Sequence, residues 1–174
     1  MTTKLEPLGI RRVEALHYYV HDLERSRRFY VERMDFAETG ASTSSLDREG
    51  HQHSAAFEAG DVRIVCSQPL GEGGRAWRYL RKHPDGIGTV IFEVEDAERC
   101  FRLLEERGGT PITDLQVHED EGGALRTFNI TTPLGDTTFR FVERRGYRGL
   151  YPGVARPPDN VVVAADGSVA FVDF

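Results

Sequence analysis

The sequence has little lysine, little cysteine and no long apolar run. Only Lys4 and Lys82 are lysines among 22 basic residues, against 28 acidic ones, so the formal net charge is −6. An acidic balance excludes a general grip on nucleic acid, which requires a basic stripe. The lysine scarcity reads first as coding composition and second as an interior that uses guanidinium groups. Cys66 and Cys100 are the only two cysteines; they stand far apart in apolar patterns. That spacing predicts buried free thiols rather than a disulfide or a metal pair. No apolar stretch approaches the roughly 18 residues needed to span a bilayer, and MTTKLEPLGI lacks the apolar centre of a signal peptide. The default location is cytoplasmic. With 39% apolar and 29% charged residues over 174 positions, the chain has an ordinary globular composition and can bury about two-thirds of its unfolded surface.

The patterns along the chain predict a strand over 12–20 and a helix over 23–34. That helix is capped by Asp22 and carries Leu23, Phe29, Tyr30 and Met34 on one face. A strand over 36–43 follows, then a polar turn over 44–50. Strands over 53–59 and 62–68 form a hairpin around Gly60-Asp61. After a glycine-rich break come a helical patch over 75–82 and a Pro84-Asp85-Gly86 turn. The order then recurs. A strand over 88–94 leads to a helix over 97–107, capped by Asp96 and stopped at Gly108-Gly109. Strands over 110–118, 124–131 and 137–144 complete it, the last two joined by a turn at 133–136. "YVHDLERSRRFYVERMDF" parallels "FEVEDAERCFRLLEERGG", and "DVRIVCSQ" parallels "DTTFRFVER". The chain is therefore an internal repeat of strand–helix–strand–strand–strand, with copies starting near Arg12 and Gly88.

These residues resemble the vicinal oxygen chelate superfamily (glyoxalase, bleomycin resistance and dioxygenase proteins), whose unit is βαβββ. "ALHYYVHDLERSRRFYVERMDF" looks like its entry motif. The resemblance implies an α+β fold in which two βαβββ modules form an open, curled eight-stranded, barrel-like sheet. The modules would cover about 11–70 and 86–145 within a domain over 10–150. "HPDGIGTVIFEVEDAERCFRLLEERGGTPI" and "PLGDTTFRFVERRGYRGLYPGV" further resemble the N-terminal domain of 4-hydroxyphenylpyruvate dioxygenase. By that resemblance the N-terminal domain binds no metal. A C-terminal catalytic domain holds Fe(II) with two His and one Glu and converts 4-hydroxyphenylpyruvate and O2 into homogentisate and CO2. Close relatives form 4-hydroxymandelate.

In the superfamily, ligands come from the first and last strands of each unit. Those positions hold His17 and Thr89, and Arg63 and Arg140. Thr is a poor ligand and Arg none at all, so no metal, no cofactor and no catalytic residue is expected in this chain. Strand alternation turns Arg63 and Arg140 toward a cavity shared with His17, Thr89 and Asn129, where a carboxylate or phosphate would suit two guanidiniums. The preferred reading pairs them instead with Glu58, Glu93 or Glu143 as a structural ion network. His51 with His53, and His118 with Glu119, Asp120 and Glu121, read as solvated residues rather than chelates. His21 and His83 read as structural.

Residues 151–174 read as a linker and the beginning of a second domain, with 157–168 as the linker and a last strand over 168–174. The expected function is thus the non-metal-binding N-terminal half of a 4-hydroxyphenylpyruvate dioxygenase-type enzyme. Its partners would be the C-terminal catalytic domain and further copies of itself, with no nucleic acid and no membrane. Competing readings are a free-standing small-anion-binding protein of the same fold and a hydroxymandelate synthase fragment. A complete metal enzyme using His17 with His53 or Glu143 is the last alternative. Using Glu143 would slide the last strand by three residues, against its period of two.

Overall fold

The computed structural model describes residues 5–147, 149–152, 154–155, 161–163 and 169–171. The chain divides into two compact units, Leu16–Gly88 with Gly149–Phe174, and Met1–Ala15 with Thr89–Arg148.

The unit that begins at Leu16 contains most of the first repeat. Strand β1 (Ile10–Tyr19) supplies its residues from Leu16 onward. Helix α1 (Leu23–Arg27) continues as one wide turn of π-helix over Arg28–Arg33. Strand β2 (Ala37–Ser42), helix α2 (Ser44–Gly50), strands β3 (Gln52–Ala59) and β4 (Val62–Pro69), and helix α3 (Arg75–Leu80) follow. The strand order is β1-β4-β3-β2, with β1 and β4 parallel and the other pairs antiparallel. Ala59 and Val62 face each other across a two-residue turn with Gly60 at φ 55°, which fits the type II′ pattern. Asp22 caps α1 as expected, accepting from the Arg25 N–H at 2.9 Å.

The other unit repeats the connectivity with strand β5 (Gly86–Val94), helix α4 (Ala97–Glu106) and strands β6 (Pro111–Asp120), β7 (Gly123–Thr131) and β8 (Thr138–Arg145). Its strand order is β6-β7-β8-β5, with β5 and β8 parallel. Asp96 accepts from the Arg99 N–H at 2.8 Å. The helix closes in a Schellman motif: Gly108 N–H donates to Glu105 and Gly109 N–H to Leu104, with Gly108 at φ 82°. The α+β class and the two βαβββ modules are thus what the structure shows.

Each unit buries one sheet face under its helix. Val20, Leu23, Phe57, Ile64 and Cys66 form one core, with Tyr30 stacked on Phe57 at 5.3 Å. Phe128 and Phe141 centre the other, 5.0 Å apart and nearly parallel, with Phe92, Phe101 and Phe139 around them. Both cysteines sit in these cores and are free, as the sequence predicts.

Three features correct the sequence reading. The helix expected over 23–34 is not one continuous amphipathic element. The π turn rotates the later residues, so Tyr30 and Val31 pack inward while Phe29 and Met34 are half exposed. The polar turn expected over 44–50 is helix α2, capped by Thr43; its polar composition hides the helical period. The region read as linker begins within the first unit's sheet: strand β9 (Val154–Ala155) pairs with Ala41 and Ser42. Strands β10 (Val161–Val163) and β11 (Val169–Phe171) pair antiparallel. The Asp166-Gly167 turn, most of the expected linker and the end of the last expected strand lie outside the described residues.

The segment before β1 carries no strand or helix pattern in the sequence. Gly9 C=O accepts from Glu95 N–H at 3.0 Å, Glu6 pairs with Arg99 at 3.4 Å, and Leu8 joins the second core, so this segment fastens to α4.

Candidate functional site

Alternation places His17 and Arg63 on the sheet face opposite α1, because Leu16, Tyr18 and Ile64 face the helix. On that face His17 Nε2 meets Ser67 Oγ at 2.7 Å. Ser54 Oγ lies 2.6 Å from the same hydroxyl, and Gln52 Nε2 donates to it at 3.2 Å. Ser67 is fully buried, so three polar side chains converge on a hydroxyl that no solute reaches. The His17 ring lies 4.9 Å from Tyr19, whose hydroxyl accepts from Arg75 Nε at 2.9 Å. Leu150, also fully buried, covers Ala56 and Val65 on this face, and Val65 is the register partner of His17.

Gly88 is required here by contact. A Cβ added to it would stand 2.0 Å from the Tyr19 ring. Gly88→Ala is expected to cost about 1–3 kcal/mol in urea denaturation, the range for overpacking a filled site.

The remaining candidates are each engaged within their own unit. Arg63 Nε pairs with Glu58 at 2.5 Å, its register partner across the β3–β4 hairpin, which is the ion pairing the sequence reading preferred. Arg140 bonds not to a glutamate but to Asn129 Oδ1, at 2.9 Å. Asn129 in turn bonds Thr113 Oγ1 through its backbone and side-chain N–H groups. Thr89 Oγ1 and Thr138 Oγ1 are 3.0 Å apart and buried. Thr89, Asn129 and Arg140 lie opposite α4, since Phe92, Phe128, Phe139 and Phe141 face it.

A facial triad for Fe(II) does not fit this donor set. Of the four ligand positions, two are guanidiniums without lone pairs and one is a threonine hydroxyl already bonded to another. His53 does not join His17. It projects from the helix side of β3, where Nδ1 pairs with Asp47 at 2.8 Å. Glu143 points to the helix side of β8, accepts from the Ala97 N–H at 2.8 Å and pairs with Arg145. His51 is the left-handed C-cap of α2 and not part of a strand pair. Asp120, read as part of a solvated loop, ends β6 and accepts from Gly122 and Gly123 N–H. His21 pairs with Asp85 at 2.5 Å, and the His83 ring lies tilted against Tyr79 at 4.7 Å.

Ser54, Ser67 and Gln52 were missed by sequence reasoning. Their signal was parity: each stands on the non-helix face of a strand whose other face is apolar. Burial pushes the Cys66 thiol up to about 12 and the Cys100 thiol up to about 11. Alkylation of Cys66 at pH 8 is expected to run roughly a thousandfold slower than that of a free thiol, since only the thiolate reacts. Mass spectrometry of iodoacetamide-treated native and urea-unfolded protein would show the contrast.

Residues 10–139 match the model of the Glyoxalase/Bleomycin resistance protein/Dioxygenase superfamily, and the chain belongs to that superfamily. Within it, the chain is 30% identical over 160 residues to a 4-hydroxyphenylpyruvate dioxygenase of Coccidioides posadasii, covering 82% of this chain and 39% of that protein. It is 30% identical over 148 residues to the Xenopus tropicalis 4-hydroxyphenylpyruvate dioxygenase, covering 82% of this chain and 36% of that protein. The chain therefore spans less than two-fifths of the length of these relatives. A 4-hydroxymandelate synthase variant from Streptomyces coelicolor superposes with a TM-score of 0.72 at 20% identity, over 86% of this chain and 43% of that one. Methylmalonyl-CoA epimerase from Mycobacterium tuberculosis superposes with a TM-score of 0.66 at 16% identity, over 82% and 93% respectively. At these identities the structures speak for the fold alone. Among the described residues no helix is long and apolar enough to cross a membrane.

Proposed function

We propose that this chain serves as the non-metal-binding, N-terminal-type domain of a 4-hydroxyphenylpyruvate dioxygenase-type enzyme. In the whole enzyme, 4-hydroxyphenylpyruvate and O2 would become homogentisate and CO2. The chemistry would belong to a partner catalytic domain with Fe(II) on a two-His, one-Glu triad. The role of this chain is to brace that domain and to contribute to oligomer contacts in the cytoplasm.

The observation that carries the proposal is the state of the four ligand positions. His17, Arg63, Thr89 and Arg140 are each held by a neighbouring side chain, and two of them cannot ligate. The similarity to dioxygenases of which this chain spans less than two-fifths supports the division of labour.

Anaerobic calorimetric titration of the chain with Fe(II) tests it. The expected result is no stoichiometric site; a one-to-one site of micromolar or tighter affinity, lost in His17→Ala, would contradict the proposal.

A further inference from the structure

A cavity of about 250 Å³ opens on the helix side of the first unit, beneath the π turn. It is away from the face that carries His17 and Arg63. Tyr18, Phe29 and Tyr30 line it with Val20, Ser26 and Cys66, and Arg25 and Asp85 are its charged lining residues. Four observations converge on this place.

The helix widens to π geometry over Arg28–Arg33, the residues that bring Phe29 and Tyr30 to the cavity wall. Such turns store unfavourable helix geometry and concentrate at functional sites. Phe29 keeps 46% of its surface exposed although it is a large aromatic side chain. The Arg25 guanidinium has no partner among the described residues. The negative charge of Asp85 is already engaged, with Oδ1 accepting from the His21 backbone N–H at 3.0 Å and lying 2.5 Å from His21 Nδ1.

The interior is otherwise uncharged. Burial holds the Cys66 thiol and the Tyr30 phenol protonated well above neutral pH. One cation, Arg25, unpartnered among the described residues, and one hydrogen-bonded carboxylate, Asp85, therefore stand at a chamber otherwise walled by aromatic rings and uncharged side chains. Cavities of roughly 150 Å³ accept a benzene ring, so this one accommodates a single ring with a short acidic arm.

From this arrangement we infer that the cavity binds a small aromatic monocarboxylate, its ring among Tyr18, Phe29 and Tyr30 and its carboxylate on Arg25. The carboxylate would receive charge-assisted N–H bonds from the guanidinium, and the two tyrosine hydroxyls would stay available to polar ring substituents. The inference concerns a site apart from the fold's ligand positions and is independent of the dioxygenase reading.

Phenylacetate is the probe, with acetate and benzyl alcohol as half-probes, followed by amide chemical shifts in the full chain. The expected result is saturable shifts centred on residues 18–30 and 66, with a Kd of about 5 mM or tighter. Each half-probe should bind at least about tenfold more weakly, because each lacks either the ring or the charge. Arg25→Gln should weaken phenylacetate about tenfold while leaving the thermal midpoint unchanged, since Arg25 is exposed. Arg25→Lys should recover most of the affinity. No saturation up to about 20 mM would overturn the inference. So would shifts centred elsewhere, undiminished binding to Arg25→Gln, or benzyl alcohol binding as well as phenylacetate.

Discussion

Replacing Glu14 with alanine is expected to lower the stability by about 3–5 kcal/mol, the cost of stripping the partner from a buried charge. The Glu14 side chain is fully shielded from solvent, and its Oε1 lies 2.5 Å from Nε of Arg144, which is 15% exposed. Arg144 also lies over the Tyr147 ring, so it is held in place and cannot swing to water without losing that contact. A buried pair gives little net stability relative to apolar residues of the same shape, but half a pair is costly. The double replacement Glu14→Leu with Arg144→Met should therefore recover most of the loss. Urea denaturation of the two single variants and the double variant measures both quantities. A loss under about 1 kcal/mol in Glu14→Ala would show that the carboxylate does not anchor Arg144 in solution.

Phe128→Ala is expected to cost about 3–5 kcal/mol by opening a cavity at the centre of the second core. Phe128 is completely buried, stacked on Phe141 at 5.0 Å and met edge-on by Phe101 at 5.1 Å. Marginal stability of about 5–15 kcal/mol makes that roughly a fifth or more of a typical total. Phe29→Ala provides the contrast. The same chemical change at a half-exposed ring should stay within about 1 kcal/mol. Equal effects at the two positions would mean that the π turn does not expose Phe29 in solution.

That pair of phenylalanines also shows where sequence reasoning held and where it stopped. The repeat was legible because its signals are local. Asp22 and Asp96 each begin a helix at the same point of the repeat, and each caps a backbone N–H three residues on. Gly60 and Gly108 supply positive φ where a hairpin and a helix end require it. Arg63 with Glu58 was legible too, because a two-residue hairpin sets that register. The π turn was not, since a single widened turn shifts the helical period without changing composition. The pairing of Glu14 with Arg144 spans 130 residues and has no local signal. Arg140 met Asn129 rather than a glutamate because they are cross-strand neighbours on β8 and β7, while Glu143 has the opposite parity. Ser67 as the centre of the His17 cluster depended on the parallel pairing of β1 with β4, which places Tyr19 opposite Ser67.

Oxygen uptake by the purified chain, supplied with Fe(II) and 4-hydroxyphenylpyruvate, is the decisive measurement. The ligand positions here hold two arginines and a committed threonine, so uptake should not exceed that of Fe(II) and the keto acid alone, and no homogentisate should form. Sustained uptake in proportion to protein, with homogentisate or 4-hydroxymandelate as product, would contradict the assignment of this chain as a domain without its own catalytic metal.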